Sequence, residues 1–329
     1  MRRYLVLIGL ILTLMVAYTA YWFFALGEAK KGFERAGAAE RARGNVLTYD
    51  SAEWGGFPIR IGVDLTGVKW KAGGVAFEAG EMRMEVMPWR PNHALVRATG
   101  SARLAWQDGG ETVEARPALI LASIRVDLGG TFQGADLELR NALVTGTGED
   151  GAPYVFRAAR LQVDTRFVTG SARGRETFDV AFSADKIDFP EPAPRLGARL
   201  SSIRFAAQIS DLPPFSKGWR PASREALVNY LGESGTTASI ARLDFDWGQT
   251  KATGTGTLAL DAANRFRGQL DFKIVGIRQL IDALSANDVL NPGGVTIPDV
   301  AGGTPIALVL KEGVVTFGPF ALSGLKPLD

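Results

Sequence analysis

The sequence predicts a mainly β protein. An N-terminal transmembrane helix should be followed by a large, curved, mostly antiparallel sheet (open groove, sandwich or incomplete barrel) with two short covering helices. Three observations carry this. No residue from Tyr4 to Leu26 is charged. Beyond Gly44, apolar and polar residues alternate with a period of two, and short Gly-, Asp- and Asn-bearing turns such as Asp108-Gly-Gly110 and Asp261-Ala-Ala-Asn264 separate the runs.

The apolar run is the anchor, residues 1–27. At 1.5 Å per residue, a helix over residues 4–26 covers the roughly 30 Å hydrocarbon layer. Arg2 and Arg3 precede it, which sets the short N-terminus on the cytoplasmic side and exports the remainder. Tyr18, Tyr21 and Trp22 gather toward its far end, where amphipathic aromatics favour the membrane–water interface. Ala25-Leu-Gly27 offers a small-x-small cleavage pattern, yet the run is longer than the apolar region of a signal peptide and ends in bulky aromatics, which favours retention. Residues 28–44 are rich in alanine and charge and continue as a helical stalk that Gly44 ends.

Two β halves follow, 45–200 and 201–329. Ile59, Ile61, Val63 and Leu65 alternate with polar or small residues, as do Met82, Met84 and Val86. The same period marks Leu137 to Leu139, Leu161 to Phe167, Leu243 to Trp247 and Phe266 to Ile274. Proline-rich connectors occupy 189–200 and 211–221. Helical spacing is confined to Pro221–Ser234, with Ala226, Leu227, Tyr230 and Leu231 on one side, and Ile277–Ala286, with Ile277, Leu280, Ile281 and Leu284 on one face.

Two breaks punctuate the first half. In Trp54-Gly55-Gly56-Phe57-Pro58 the glycines permit a bend, and proline, which cannot donate to a ladder, suits the start of a strand. Pro88, Trp89 and Pro91 mark a second reversal. Both read as structural turns.

Chemistry is sparse. A net charge of +2 with dispersed basic residues argues against nucleic acid. The absence of cysteine excludes disulfides, thiolate metal sites and cysteine nucleophiles. His93, the single histidine, follows Pro91-Asn92 and reads as a surface turn residue. Asp244 and Asp246 share a strand face without a metal-binding pattern around them. Gly254, Gly256 and Gly268 lie in strand-like sequence and lack the phosphate-loop pattern. No catalytic residue, cofactor or metal site is expected, and the chain reads as a non-enzyme; an undetected hydrolase is the minor alternative.

A single N-terminal span followed by WGGFPIRI and VMPWRPNHALVRATG resembles an uncharacterised family of bacterial, chiefly alphaproteobacterial, inner-membrane proteins known by a domain-of-unknown-function label. TGTGTLALDAANRFRGQLDFKIVGIRQLIDAL and VVTFGPFALSGLKPL fit that family and, more loosely, resemble AsmA-like envelope proteins. The family implies placement in the bacterial inner membrane, and with the orientation set by Arg2 and Arg3 the bulk of the chain is expected in the periplasm. The looser likeness implies an apolar groove offered to lipid chains. The apolar strand faces give its expected lining as Ile59, Ile61, Val63, Leu65, Met82 and Met84, which equally suit a plain core, and its ligand as a phospholipid or another apolar envelope component. The alternative is a structural or assembly accessory that docks on envelope proteins through sheet edges.

Overall fold

The structure, a computed structural model, describes residues 2–108, 111–127, 129–148, 151–168, 175–190, 194–215, 223–286, 297–300 and 302–322. These residues are mainly β, with three helices. The strands pair antiparallel in a large sheet that is not closed into a barrel. The chain divides into two compact units, Met1–Arg125 with Thr145–Tyr154, and Val126–Val144 with Val155–Asp329.

The first unit opens with α1 (Arg2–Ala42), so the apolar run and the charged stalk form one continuous helix. Eight strands follow: β1 (Val46–Thr48), β2 (Ser51–Gly55), β3 (Ile61–Ala72), β4 (Val75–Met87), β5 (Arg90–Thr99), β6 (Arg103–Asp108), β7 (Glu111–Arg116) and β8 (Leu119–Val126). Both β1 and β2 pair with β3, and β3 pairs with β4 in the register Ile61↔Val86, Val63↔Met84, Leu65↔Met82. That register puts the apolar sets of both strands on one face and Asp64 opposite Arg83 on the other. Arg83 closes a two-pronged ion pair on Asp64 at 2.5 and 2.9 Å. A one-residue slip would exchange the two faces, so this pair and the buried face specify the same register.

In the second unit β9 (Phe132–Thr147) and β10 (Pro153–Val168) pair, and the ladder continues through β11 (Glu176–Asp188) and β12 (Arg199–Leu212). It runs on through β13 (Thr237–Trp247), β14 (Thr250–Leu260), β15 (Phe266–Val275), β16 (Thr304–Lys311), β17 (Val314–Phe317) and β18 (Phe320–Ala321). The hairpin tip Thr145–Tyr154 is counted with the first unit. Between β12 and β13 lies α2 (Arg224–Ser234), where Ser223 accepts a hydrogen bond from the Ala226 amide as N-cap and Gly235 ends the helix at φ +73°. The residue this helix buries most deeply is Val228, which the sequence reading leaves out.

Helix α3 (Ile277–Ser285) follows β15 and packs as its spacing predicts. Ile277, Leu280 and Ile281 are buried, with Leu284 beside them, against Ala252, Ile274, Ile306, Phe317 and Phe320. The connectors are shorter than the proline content predicts, because Arg199, Leu200, Asp211 and Leu212 already lie in β12. Gly109, Gly110 and Pro221 fall outside the described residues, so the expected turn at 108–110 is covered only in part; Asp108 and Glu111 pair across it.

Candidate functional site

Alternation places Ile61, Val63 and Leu65 on the inner face of β3, where they are 3%, 3% and 2% exposed. Removing each from water stabilises the fold by about 1.5–3 kcal/mol. Half-buried Met82 and Met84 lie opposite them, and Val68, Trp54, Phe77 and Phe33 complete the cluster. Phe33 belongs to α1. Its ring meets Trp54 edge-on at 5.7 Å and Tyr49 at 5.9 Å. Lys30 Nζ sits 5.9 Å over the Trp54 ring. Five of the six expected groove residues therefore line a face that the charged half of α1 packs against. Ile59, the sixth, stands apart: it lies in the turn before β3 and is 61% exposed. Its alternation with Ile61 continues through Pro58 in sequence, but the ladder begins only at Ile61.

The helix is fastened to the sheet at both ends of this contact. Near the charged end, Glu40 accepts hydrogen bonds from the Trp70 indole at 3.1 Å and from Asn45 at 2.8 Å. Near the apolar end, Tyr18 donates to the Pro58 carbonyl at 2.5 Å, Tyr21 to the Pro88 carbonyl at 2.8 Å, and the Trp22 indole to the Arg60 carbonyl at 3.1 Å. Both proline-bearing turns thus supply acceptors to the last turns of the apolar run. Trp22, expected at a membrane interface, is 3% exposed and packs edge-on against Phe57 at 5.3 Å.

Of the expected bend, Trp54 and Gly55 already lie in β2, because the ladder with β3 extends to Gly55↔Gly62, and the turn runs through residues 57–59. Gly56 holds φ +109°, and a Cβ there would lie 2.5 Å from the Arg60 carbonyl oxygen, so a side chain is excluded. The Phe57–Pro58 peptide is cis. Across from it, the 88–89 turn joins β4 to β5, with Pro88 buried and Trp89 56% exposed; Pro91 already lies in β5.

These turns border a cleft of about 600 Å³. Phe57, Ile59, Met87 and Leu95 give it apolar walls, and Arg60, Arg90, Glu85 and His93 its polar groups. Arg60 pairs with Glu85 at 3.2 Å. His93 is half-buried in β5 opposite Arg125, not in a turn as the sequence reading places it. Its Nε2 is shielded from solvent and has no hydrogen-bond partner among the described residues.

Elsewhere the singled-out groups have structural partners. Asp244 pairs with Arg242 at 2.5 Å and Asp246 with Lys251 at 3.0 Å. Gly254 and Gly256 lie within β14, where Phe272 and Leu270 of β15 cover them: a Cβ on Gly254 would meet the Phe272 ring at 2.5 Å, and one on Gly256 the Gln269 carbonyl at 2.1 Å. Among the described residues no three His, Asp or Glu side chains are grouped to hold a metal ion.

One N-terminal helix long and apolar enough to cross a membrane, joined to a large antiparallel β sheet, defines the class of protein. Within that class, the chain belongs to the family described as an uncharacterized protein conserved in bacteria, DUF2125, whose model matches residues 22–326. No curated protein and no solved structure matches it, and the looser likeness to AsmA-like envelope proteins is not shown.

Proposed function

We propose that this is a single-pass inner-membrane protein, anchored through residues 4–26 with its N-terminus cytoplasmic. Its β sheet works in the periplasm, without bond chemistry, to bind or help transfer lipid. Retention of the anchor is supported by the Tyr18, Tyr21 and Trp22 hydrogen bonds: cleavage at Ala25-Leu-Gly27 would withdraw all three donors and the buried Trp22 ring from the sheet.

The observation that carries the lipid reading lies in the second unit. Val180, Phe205, Leu243, Leu258, Phe272 and Leu308 share one face of β11–β16 and remain only half-buried around Ala207, Ile240 and Leu270. Helix α3 covers this face beside the β13–β14 turn, where Gln279 meets Gln249, and α2 lies near the opposite strand ends, where Asn229 meets Asn264. An incompletely covered apolar face of this kind supports the reading of a site for an apolar partner. In this reading the groove lies on β11–β16, because in the first unit Phe33 packs against the β3–β4 face.

The test uses two neighbouring positions on β14 that point to opposite faces. A photo-crosslinking phenylalanine analogue is placed at half-buried Leu258 or at exposed Thr257 in the full chain, in cells. A lipid-mass adduct at position 258 and none at 257 is the expected result. A protein adduct at 258 would favour the docking accessory, and a folded variant with no adduct at 258 would overturn the reading.

A further inference from the structure

The exposed apolar side chains of the first unit's turns are concentrated beside the helix span. Phe57, Ile59, Met87 and Trp89 are 53%, 61%, 40% and 56% exposed, and all four sit in or next to the two turns that accept hydrogen bonds from Tyr18, Tyr21 and Trp22. Phe57 also stacks on Phe23 of the helix, with ring centroids 6.4 Å apart and planes 17° apart. Phe23 and Phe24 are themselves 61% and 67% exposed. The apolar surface of the helix therefore runs without interruption onto the rim of the sheet.

Depth follows from helix geometry. Trp22 lies four residues before Leu26, the end of the uncharged run, which at 1.5 Å per residue is about 6 Å inside it. Amphipathic elements lying in a bilayer interface sink about 5–10 Å into the headgroup and acyl boundary. A rim fastened to Trp22 and Tyr21 is held at that depth. Its chemistry matches: Trp is at home at the interface, and arginine can extend its apolar stem while keeping its guanidinium at the phosphates. Among the described residues Arg90 has no carboxylate partner, and Arg60 has one, Glu85.

We propose that the rim formed by residues 56–60 and 87–90 is a membrane-contact surface. Phe57, Ile59, Met87 and Trp89 enter the acyl boundary, and Arg60 and Arg90, at the cleft behind them, hold the phosphate of an anionic phospholipid. The inference rests on the reading of α1 as a membrane span. It is independent of lipid transfer on β11–β16.

The native absence of cysteine makes the test direct. Single-cysteine full-length variants M15C, I59C, W89C and K71C, each labelled with an environment-sensitive fluorophore, are reconstituted into vesicles of phosphatidylcholine and phosphatidylglycerol. Quenching is then read at positions 59, 71 and 89 with lipids carrying a shallow spin label, and at position 15 with lipids whose spin label lies near the end of the acyl chain. The expected result is quenching at positions 15, 59 and 89, with position 71, farther along β3, unaffected. Replacing phosphatidylglycerol by phosphatidylcholine should reduce quenching at 59 and 89. Arg60→Gln with Arg90→Gln should abolish that lipid dependence while leaving position 15 unchanged. Quenching at 15 without quenching at 59 and 89 overturns the rim and leaves the span standing; no quenching at 15 overturns the span itself. Quenching at 59 and 89 that ignores both lipid charge and the arginine substitutions overturns the headgroup assignment.

Discussion

The indole of Trp22 donates to the Arg60 carbonyl at 3.1 Å while its ring is 3% exposed against Phe57. The end of the apolar run is thereby fastened to the residue just before a long strand. Trp22→Ala should destabilise the first unit by about 3–5 kcal/mol, the range for emptying a buried aromatic site. Trp22→Phe, which keeps most of the apolar area and loses the hydrogen bond, should cost about 1 kcal/mol. Thermal unfolding of the full chain in detergent separates the two.

Ile59 and Leu65 look equivalent in the alternating sequence and are opposite in the structure. Leu65→Ala, at 2% exposure, should cost about 2–5 kcal/mol. Ile59→Ala, at 61% exposure, should stay within about 0.5 kcal/mol. Denaturant midpoints of both variants check this contrast.

Gly254 and Gly256 are packing positions. Gly256→Ala would drive a methyl against the Gln269 carbonyl, a backbone atom that cannot swing aside, and Gly254→Ala would push on the Phe272 ring. Each should cost about 1–3 kcal/mol. Adding nucleotide should restore neither, which a melt with and without ATP would verify.

Glu138 on β9 is held below the usual carboxylate range, first by the hydrogen bond from Arg140 and then by Arg160, against an opposing effect of burial. A carboxyl whose folded pKa is depressed contributes stability that is present at neutral pH and is lost as pH falls through the folded value. Glu138→Gln should therefore be less stable than the parent at neutral pH, with the gap narrowing as pH falls below the usual carboxylate range. Asp179, depressed by Gln208 and then Arg166, acts in the same direction and keeps some acid sensitivity in the variant. Unfolding temperatures recorded across that range would show the convergence.

Local periodicity is readable wherever one element decides its own burial. Ile277, Leu280, Ile281 and Leu284 face the core as their spacing requires, and the β3–β4 face follows from alternation alone. What covers a face is not local information. Phe33 lies in a stretch dominated by alanine and charge, and only its being the one aromatic there hints that it has a seat on the sheet. Ile59 shows the converse: its pattern continues into β3, but Pro58 before it sits in a turn and the ladder starts two residues later. His93 follows a proline that sequence reasoning takes for a turn, whereas Pro91 is accommodated within β5. The tyrosines of α1 read from sequence as membrane-interface groups; that their hydroxyls donate to carbonyls about forty to seventy positions away could not be read from either segment alone.

α1 precedes every strand in the chain, so, as the proposed anchor, it would meet the membrane before β3 is complete. The β3 face would then have an order of assembly: the helix supplies Phe33 to its hydrophobic cluster and the Trp22 indole to the Arg60 carbonyl just before it, and β3, arriving later, would find both already in place on the anchored helix. On the proposed anchoring, delivery to the membrane is a step in folding rather than an event that follows it, and a chain that missed the membrane would leave both the helix and the face of β3 without the setting in which they meet.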